Sequence, residues 1–249
     1  MIVISHRGSN RKAPENSLEA FNLSIDEGAK RIELDLWLSK DGEIFICHDD
    51  KLARTTSSKA LISKSSSAEL KKVVLENGES LPSLTDVLPL LDKVELNLEL
   101  KGTNLKLVDA TLKQILNHKL QDKIILSSFN VEILEKCAQD APKIKRAFLW
   151  EPTLSDKISI DLERIKEGLK RSKTHIFHPQ ASYYNEKLFK FAKFEDLEVY
   201  TWAALRKDET INECKLWKDL IKHEVDGHCT NYPLELNNFL REQIIKGRL

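Results

Sequence analysis

The chain has 249 residues, 41% of them hydrophobic, and its 39 basic residues balance 39 acidic ones. That is enough apolar material for a sizeable buried core, while a formal net charge of zero gives no overall attraction to nucleic acid or to an anionic membrane surface. No stretch approaches the ~20 consecutive apolar residues of a membrane helix, so neither nucleic-acid binding nor membrane insertion is expected. The opening MIVISHRG passes from Met1 straight into a strand-like run, leaving no room for a secretory leader. Cys47, Cys137, Cys214 and Cys229 are far apart with no C-x-x-C pair, the pattern of reduced thiols in a cytoplasm rather than of disulfides or a zinc site.

In chain order, a β-rich run at 2–5 precedes a helical pattern at 17–28, where Asn16 and Glu19 have capping-box spacing. A second run at 31–37 is followed by an extra strand-like segment, EIFICHDD at 43–50, and by a Ser- and Lys-rich stretch. That stretch reads as an inserted, solvated loop over about 50–80 with a short helix near 67–75. A helix at 84–91 follows, with Ser83 and Asp86 as its cap. The remaining strands are expected at 94–100, 123–128, 145–149, 174–178, 197–203 and 225–229, and the remaining helices at 104–118, 130–140, 161–171, 185–195, 208–222 and 233–246. Eight strands alternating with eight helices in about 250 residues predict a single (β/α)8 TIM barrel, 1–249, with a small insertion after the second strand. A doubly wound open sheet is the alternative, but no G-x-G-x-x-G follows any strand.

Two of the strands carry acid. RIELDLWL at 31–38 and VELNLELK at 94–101 place polar groups at every second position, so each has one apolar and one acidic or polar face. The leucines and Ile32 are expected to meet the helices, leaving Glu33, Asp35, Glu99 and Lys101 inside, near the carboxyl ends of the strands where barrel sites are built. Residues two apart on a strand are about 6.6 Å apart and neighbouring strands about 4.8 Å, so the three carboxylates reach one point. Together they need a cation or protons. Oxygen-only ligation suits a hard divalent ion, Mg²⁺ or Ca²⁺; a salt-bridge network with Lys101, Arg7 and Arg31 is the other reading. His6 and His48 close the first strand and the extra run, beside the acids, and near-neutral imidazoles suit acid and base roles. His118, His175 and His223 read as structural residues, and Cys47 as an inert thiol.

HRGSNRKAPENSLEAF, GAKRIELDLWLSKDGEIFICHDDKLARTT, LPSLTDVLPLL, NLELK and SSF, in that order and spacing, resemble the glycerophosphodiester phosphodiesterase family. The resemblance implies a (β/α)8 barrel hydrolysing glycerophosphodiesters to sn-glycerol 3-phosphate and an alcohol with one divalent cation. It implies Glu33, Asp35 and Glu99 as metal ligands, His6 and His48 as the acid/base pair, and Arg7 and Lys101 as phosphate contacts; our own expectation within the pair is His6 as acid and His48 as base. Phe129 and Trp202 are expected as pocket walls binding substrate, and Glu15 and Asn16 as loop and cap residues. The chain departs from the family at Thr201, which precedes Trp202, and at Asn231, where the family has an acid; both positions are expected to shape the headgroup end. The partner implied is a small-molecule glycerophosphodiester, with a homodimer left open. Lysolipid hydrolysis of the phospholipase D type, a Schiff-base aldolase using Lys101, and a silent barrel serving as a binding module are the competing functions.

Overall fold

Residues 1–156, 160–174, 176–203 and 213–246 are described by the structure, a computed structural model. The strands are β1 (Ile2–His6), β2 (Arg31–Leu38), β3 (Ile44–Ile46), β4 (Glu95–Leu100), β5 (Ile124–Ser128), β6 (Lys145–Trp150), β7 (Ile176–Pro179), β8 (Glu198–Trp202) and β9 (Gly227–Thr230). The helices are α1 (Leu18–Asp26), α2 (Ser67–Leu70), α3 (Leu84–Val87), α4 (Lys106–Asn117), α5 (Val131–Asp140), α6 (Leu162–Ser172), α7 (Glu186–Phe194), α8 (Glu213–Lys222) and α9 (Pro233–Ile245). All barrel strands pair in parallel in the order β1-β9-β8-β7-β6-β5-β4-β2, and β1 pairs with β2 to close the ring. The predicted (β/α)8 barrel is therefore the fold. Residues 208–212 of the helix predicted at 208–222 and His175 of the strand predicted at 174–178 lie outside the described residues.

Alternation along the strands sets the layers. Ile32, Leu34 and Leu36 of β2 and Leu96, Leu98 and Leu100 of β4 pack with Leu107, Val108, Leu112 and Ile115 of α4 in the layer between sheet and helices. Inside the ring, Ile4, Ile125, Ala147, Ile176, Tyr200 and Cys229 form a separate apolar plug. Burying that much branched apolar surface is what closes a parallel sheet.

β1 pairs with β2 only up to the His6–Glu33 step. Beyond it β3 pairs antiparallel with β2 over Leu36–Leu38, and the insertion starts from there. It has its own small core of Leu52, Ile62, Leu70, Leu75 and Leu81 against Phe45 and Cys47. The serine run lies at the surface, half-buried, and its side chains are hydrogen-bonded within the protein. Ser63 bonds the Asp50 carboxylate through its backbone N–H and its hydroxyl, Ser66 caps α2 in a capping box with Glu69, and Ser67 donates to Asp41. Composition alone does not pair these local side-chain partners.

Two helix starts were read from the sequence. Ser83 and Asp86 do form the capping box of α3, but Pro89 follows at once and the predicted helix tightens to a 3-10 turn over Leu88–Asp92. Asn16 does not cap α1. Ser17 does, accepting from the Ala20 N–H at 3.0 Å, and the insertion's Glu79 accepts from the N–H groups of Leu18 and Glu19. A carboxylate there satisfies orphan donors and meets the positive end of the helix dipole.

Candidate active site

The register brings the acids together. Asp35 stands opposite Glu99 across β2 and β4, and His6 stands opposite Glu33 across β1 and β2. One oxygen from each of Glu33, Asp35 and Glu99 lies within 4.8 Å of the others, and all three side chains are buried. Lys101 Nζ reaches Asp35 Oδ1 at 2.9 Å and Glu99 Oε1 at 2.6 Å, and Arg7 Nε lies 3.3 Å from Asp35 Oδ2.

The turn after β1 aims Arg7. Arg7 and Gly8 both have positive φ, 56° and 80°, so the chain folds back at once and the Arg7 N–H donates to Glu33 Oε2 at 3.2 Å. Gly8 is required there: a Cβ would lie 2.7 Å from the Ala20 carbonyl carbon. Asn16, also left-handed at φ 60°, donates to Asp35 Oδ2 at 2.8 Å, so it belongs to the acid cluster and not to a helix cap. Glu15 likewise does more than line a loop, pairing with Arg7 Nη1 at 3.2 Å. A non-glycine residue in the left-handed region marks a position held by its surroundings, and here two such residues hold one carboxylate.

Arg31 is absent from this network. It faces the amino end of the barrel, paired with Glu95 and stacked over the Tyr200 ring, because it lies two steps before Glu33 on the same inward face.

Burial raises the carboxyl of Glu33 well above its usual range, with Asp35 and Glu99 adding to the effect. Glu99 is pushed up to about 7, by burial first and with Lys101 opposing it. Asp35 goes the other way: burial resists its charge, but Lys101 and Arg7 outweigh that and hold it well below the carboxylate range. The site thus keeps one firm negative charge and two acids short of positive partners.

His6 donates from Nδ1 to the amide oxygen of Asn231 at 2.7 Å, an oxygen that also accepts from Asn10 Nδ2; its Nε2 lies 4.0 Å from Glu33 Oε2. Burial, then Arg7, lowers its pKa to about 3. His48 Nδ1 bonds Asp49 Oδ1 at 2.7 Å, and burial lowers its pKa while Asp35 raises it. The neighbouring Cys47 thiol is pushed up to about 11 by burial, which removes it as a nucleophile at neutral pH.

His6, Arg7, Glu33, His48, Glu99, Lys101, Phe129 and Trp202 line one cavity of about 340 Å³, with Asp35 behind it. Phe129 and Trp202 meet edge to face, ring centroids 5.7 Å apart. His178 and Glu151 line the same cavity and were not picked out from the sequence as site residues. Their signal was position, since each stands at or just past the carboxyl end of a predicted strand. Thr201 does not line the cavity. Its hydroxyl bonds His228 Nδ1 at 2.9 Å, because it alternates with the inward Tyr200 and Trp202. His223 bonds the Asp219 carbonyl oxygen and His118 caps the end of α4, both away from the cavity.

The comparisons with known proteins agree with the geometry. Residues 6–235 match the model of the glycerophosphoryl diester phosphodiesterase family. A glycerophosphodiester phosphodiesterase of Caldanaerobacter subterraneus is 28% identical, covering 97% of this chain and 98% of its own, and one of Bacillus altitudinis is 32% identical over 93% and 94%. A solved phosphodiesterase of Oleispira antarctica, in complex with the product sn-glycerol-3-phosphate, superposes with a TM-score of 0.83 at 28% identity, covering 97% of each chain. The chain belongs to the glycerophosphoryl diester phosphodiesterase family, and its enzyme class is phosphoric diester hydrolysis.

Proposed function

We propose that this site hydrolyses glycerophosphodiesters to sn-glycerol 3-phosphate and an alcohol, using one divalent cation, Mg²⁺ or Ca²⁺, and the two histidines. The observation that carries the reading is the three-carboxylate cluster, the one such group among the described residues, set between His6 and His48 with Arg7 and Lys101 on the same cavity.

The residues fit a hard cation. Glu33 Oε1 is buried with no hydrogen-bond partner. Oxygen ligands of one Mg²⁺ or Ca²⁺ stand at most about 4 to 5 Å apart, even across the ion, and the three carboxylate oxygens lie within 4.8 Å of one another. Glu33, Asp35 and Glu99 would hold it, and when bound it supplies charge neutralisation to the phosphate oxygens.

The chain's own groups do the rest. Arg7 and Lys101 face the phosphate and oppose the negative charge that grows in the transition state. The histidine partners favour the reverse of the assignment made from sequence. His6 gives its Nδ1–H to a neutral amide and presents Nε2 with a free lone pair, the arrangement of a base that takes the proton of the attacking hydroxyl. His48 has a carboxylate on Nδ1, which opposes the burial that lowers its pKa and suits it to protonate the departing alcohol. Release of sn-glycerol 3-phosphate from glycerophosphocholine and glycerophosphoethanolamine by metal-stripped protein, with Mg²⁺, Ca²⁺ or neither restored, tests the reading. Folded protein that releases none under any condition refutes it.

A further inference from the structure

Five charged side chains of alternating sign form a continuous line from the acid cluster to the second histidine, His48. Asp35 holds Arg7 at 3.3 Å, Arg7 holds Glu15 at 3.2 Å, and Glu15 is gripped by both terminal nitrogens of Arg54, at 2.7 and 2.9 Å. Arg54 Nε then donates to Asp49 Oδ2 at 2.5 Å, and Asp49 Oδ1 meets His48 Nδ1 at 2.7 Å. Arg54 ends a short 3-10 turn of the insertion, Leu52–Arg54, whose Leu52 is fully buried in the insertion core, so the guanidinium is tethered to packed structure.

We propose that Arg54 is a positioning residue for the reaction: its guanidinium fork clamps Glu15 and Asp49 at once, so that Arg7 and His48 are aimed together at the substrate phosphate. This rests on the phosphodiesterase reading above. The argument is geometric. An exposed ion pair contributes little to stability, but a fork that spans two carboxylates, each already holding a site residue, sets their separation. Small displacements of reacting groups cost as much as ~100-fold in rate. It also gives the insertion a task at the cavity mouth, to carry the brace that joins the two halves of the site.

Arg54→Ala should leave the melting temperature within about 2 °C of wild type, lower kcat at least about tenfold, and leave KM for the glycerophosphodiester within about threefold. Arg54→Lys restores the charge but not the fork, so it should recover only a small part of the rate. Asp49→Asn combined with Arg54→Ala should lose less than the product of the two single losses, because the Arg54–Asp49 contact is common to both. Wild-type kcat in Arg54→Ala, full rescue by lysine, or additive losses would each overturn the proposal. An arm independent of turnover uses protein labelled with ¹⁵N-histidine: Arg54→Ala should move the His48 ring-nitrogen signals and leave those of His178 and His228 in place. Unmoved His48 signals would overturn the proposal. If the wild-type protein releases no sn-glycerol 3-phosphate, the phosphodiesterase reading fails, and the nitrogen signals still decide whether Arg54 orients His48.

Discussion

Lys101 Nζ lies 2.9 Å from Asp35 Oδ1 on the neighbouring strand, a contact that follows from the register placing Asp35 opposite Glu99 and Lys101 two residues further along the same face. Together with Arg7 this cation neutralises the firmest acid of the site, and it still borders the cavity. Lys101→Met should therefore lower kcat by about 10² to 10³, the loss typical of one electrostatic stabiliser of a developing oxyanion. It should also lower the melting temperature of chelator-treated protein, where the acids lose a partner, and addition of Mg²⁺ or Ca²⁺ should recover part of that loss. A variant that keeps wild-type turnover would show that Lys101 serves the fold alone.

Cation binding should be measurable without substrate. Mg²⁺ or Ca²⁺ at a hundred times its dissociation constant is expected to stabilise the protein by about 2.7 kcal/mol, and Glu33→Gln, Asp35→Asn and Glu99→Gln should each abolish the effect. Calorimetric titration of the four proteins checks it. Equal binding by wild type and all three variants would place the ion elsewhere.

The acids also make a pH prediction for cation-free protein. The Glu99 carboxyl is held at about 7, well above its ordinary value of 4.5, so the folded state binds a proton more tightly than the unfolded one. The stability this gives is fully present below about pH 4.5 and is lost as pH rises through about 7. Thermal melts between pH 4.5 and 8 should show the decline in wild type and a flatter trend in Glu99→Gln. A wild-type curve rising with pH across that window, unmatched by the variant, would contradict it.

Burial and Arg7 lower the proton affinity of His6, and the hydrogen bond to Asn231 raises it. Replacing Asn231 by Asp puts a carboxylate on Nδ1, which favours the imidazolium. The acidic limb of the kcat/KM profile, where the base becomes protonated and inactive, should move to higher pH in Asn231→Asp. His6→Ala and His48→Ala should each cost about 10² to 10⁴ in kcat with little change in melting temperature. An acidic limb identical in wild type and Asn231→Asp would remove His6 from the role of base.

Gly8 is the steric test of the turn that aims Arg7. Alanine there must adopt φ 80° with its Cβ 2.7 Å from the Ala20 backbone, so Gly8→Ala should destabilise by about 1 to 3 kcal/mol and weaken substrate binding through Arg7. Urea unfolding read beside KM separates the two effects. A variant as stable as wild type would mean that the turn relaxes without cost.

The barrel and the placement of its acid cluster were legible in the chain because both rest on periodicity. Alternation along β2 and β4 dictates that Glu33, Asp35, Glu99 and Lys101 share one face, and strand ends dictate that His6 and His48 stand beside them. The three-to-four spacing of leucines assigns the helices in the same way. Tertiary structure alone decided the partners. Nothing local shows that Arg31 finds Glu95 and the Tyr200 ring as its partners, or that Asn16 turns left-handed toward Asp35 while Ser17 takes the cap. Nor does local sequence show that Asn231, some 225 residues along the chain, meets His6, or that Arg54 of the insertion joins Glu15 to Asp49. These contacts depend on ring closure and on the docking of the insertion. Both are products of packing between distant segments, and no local propensity encodes them.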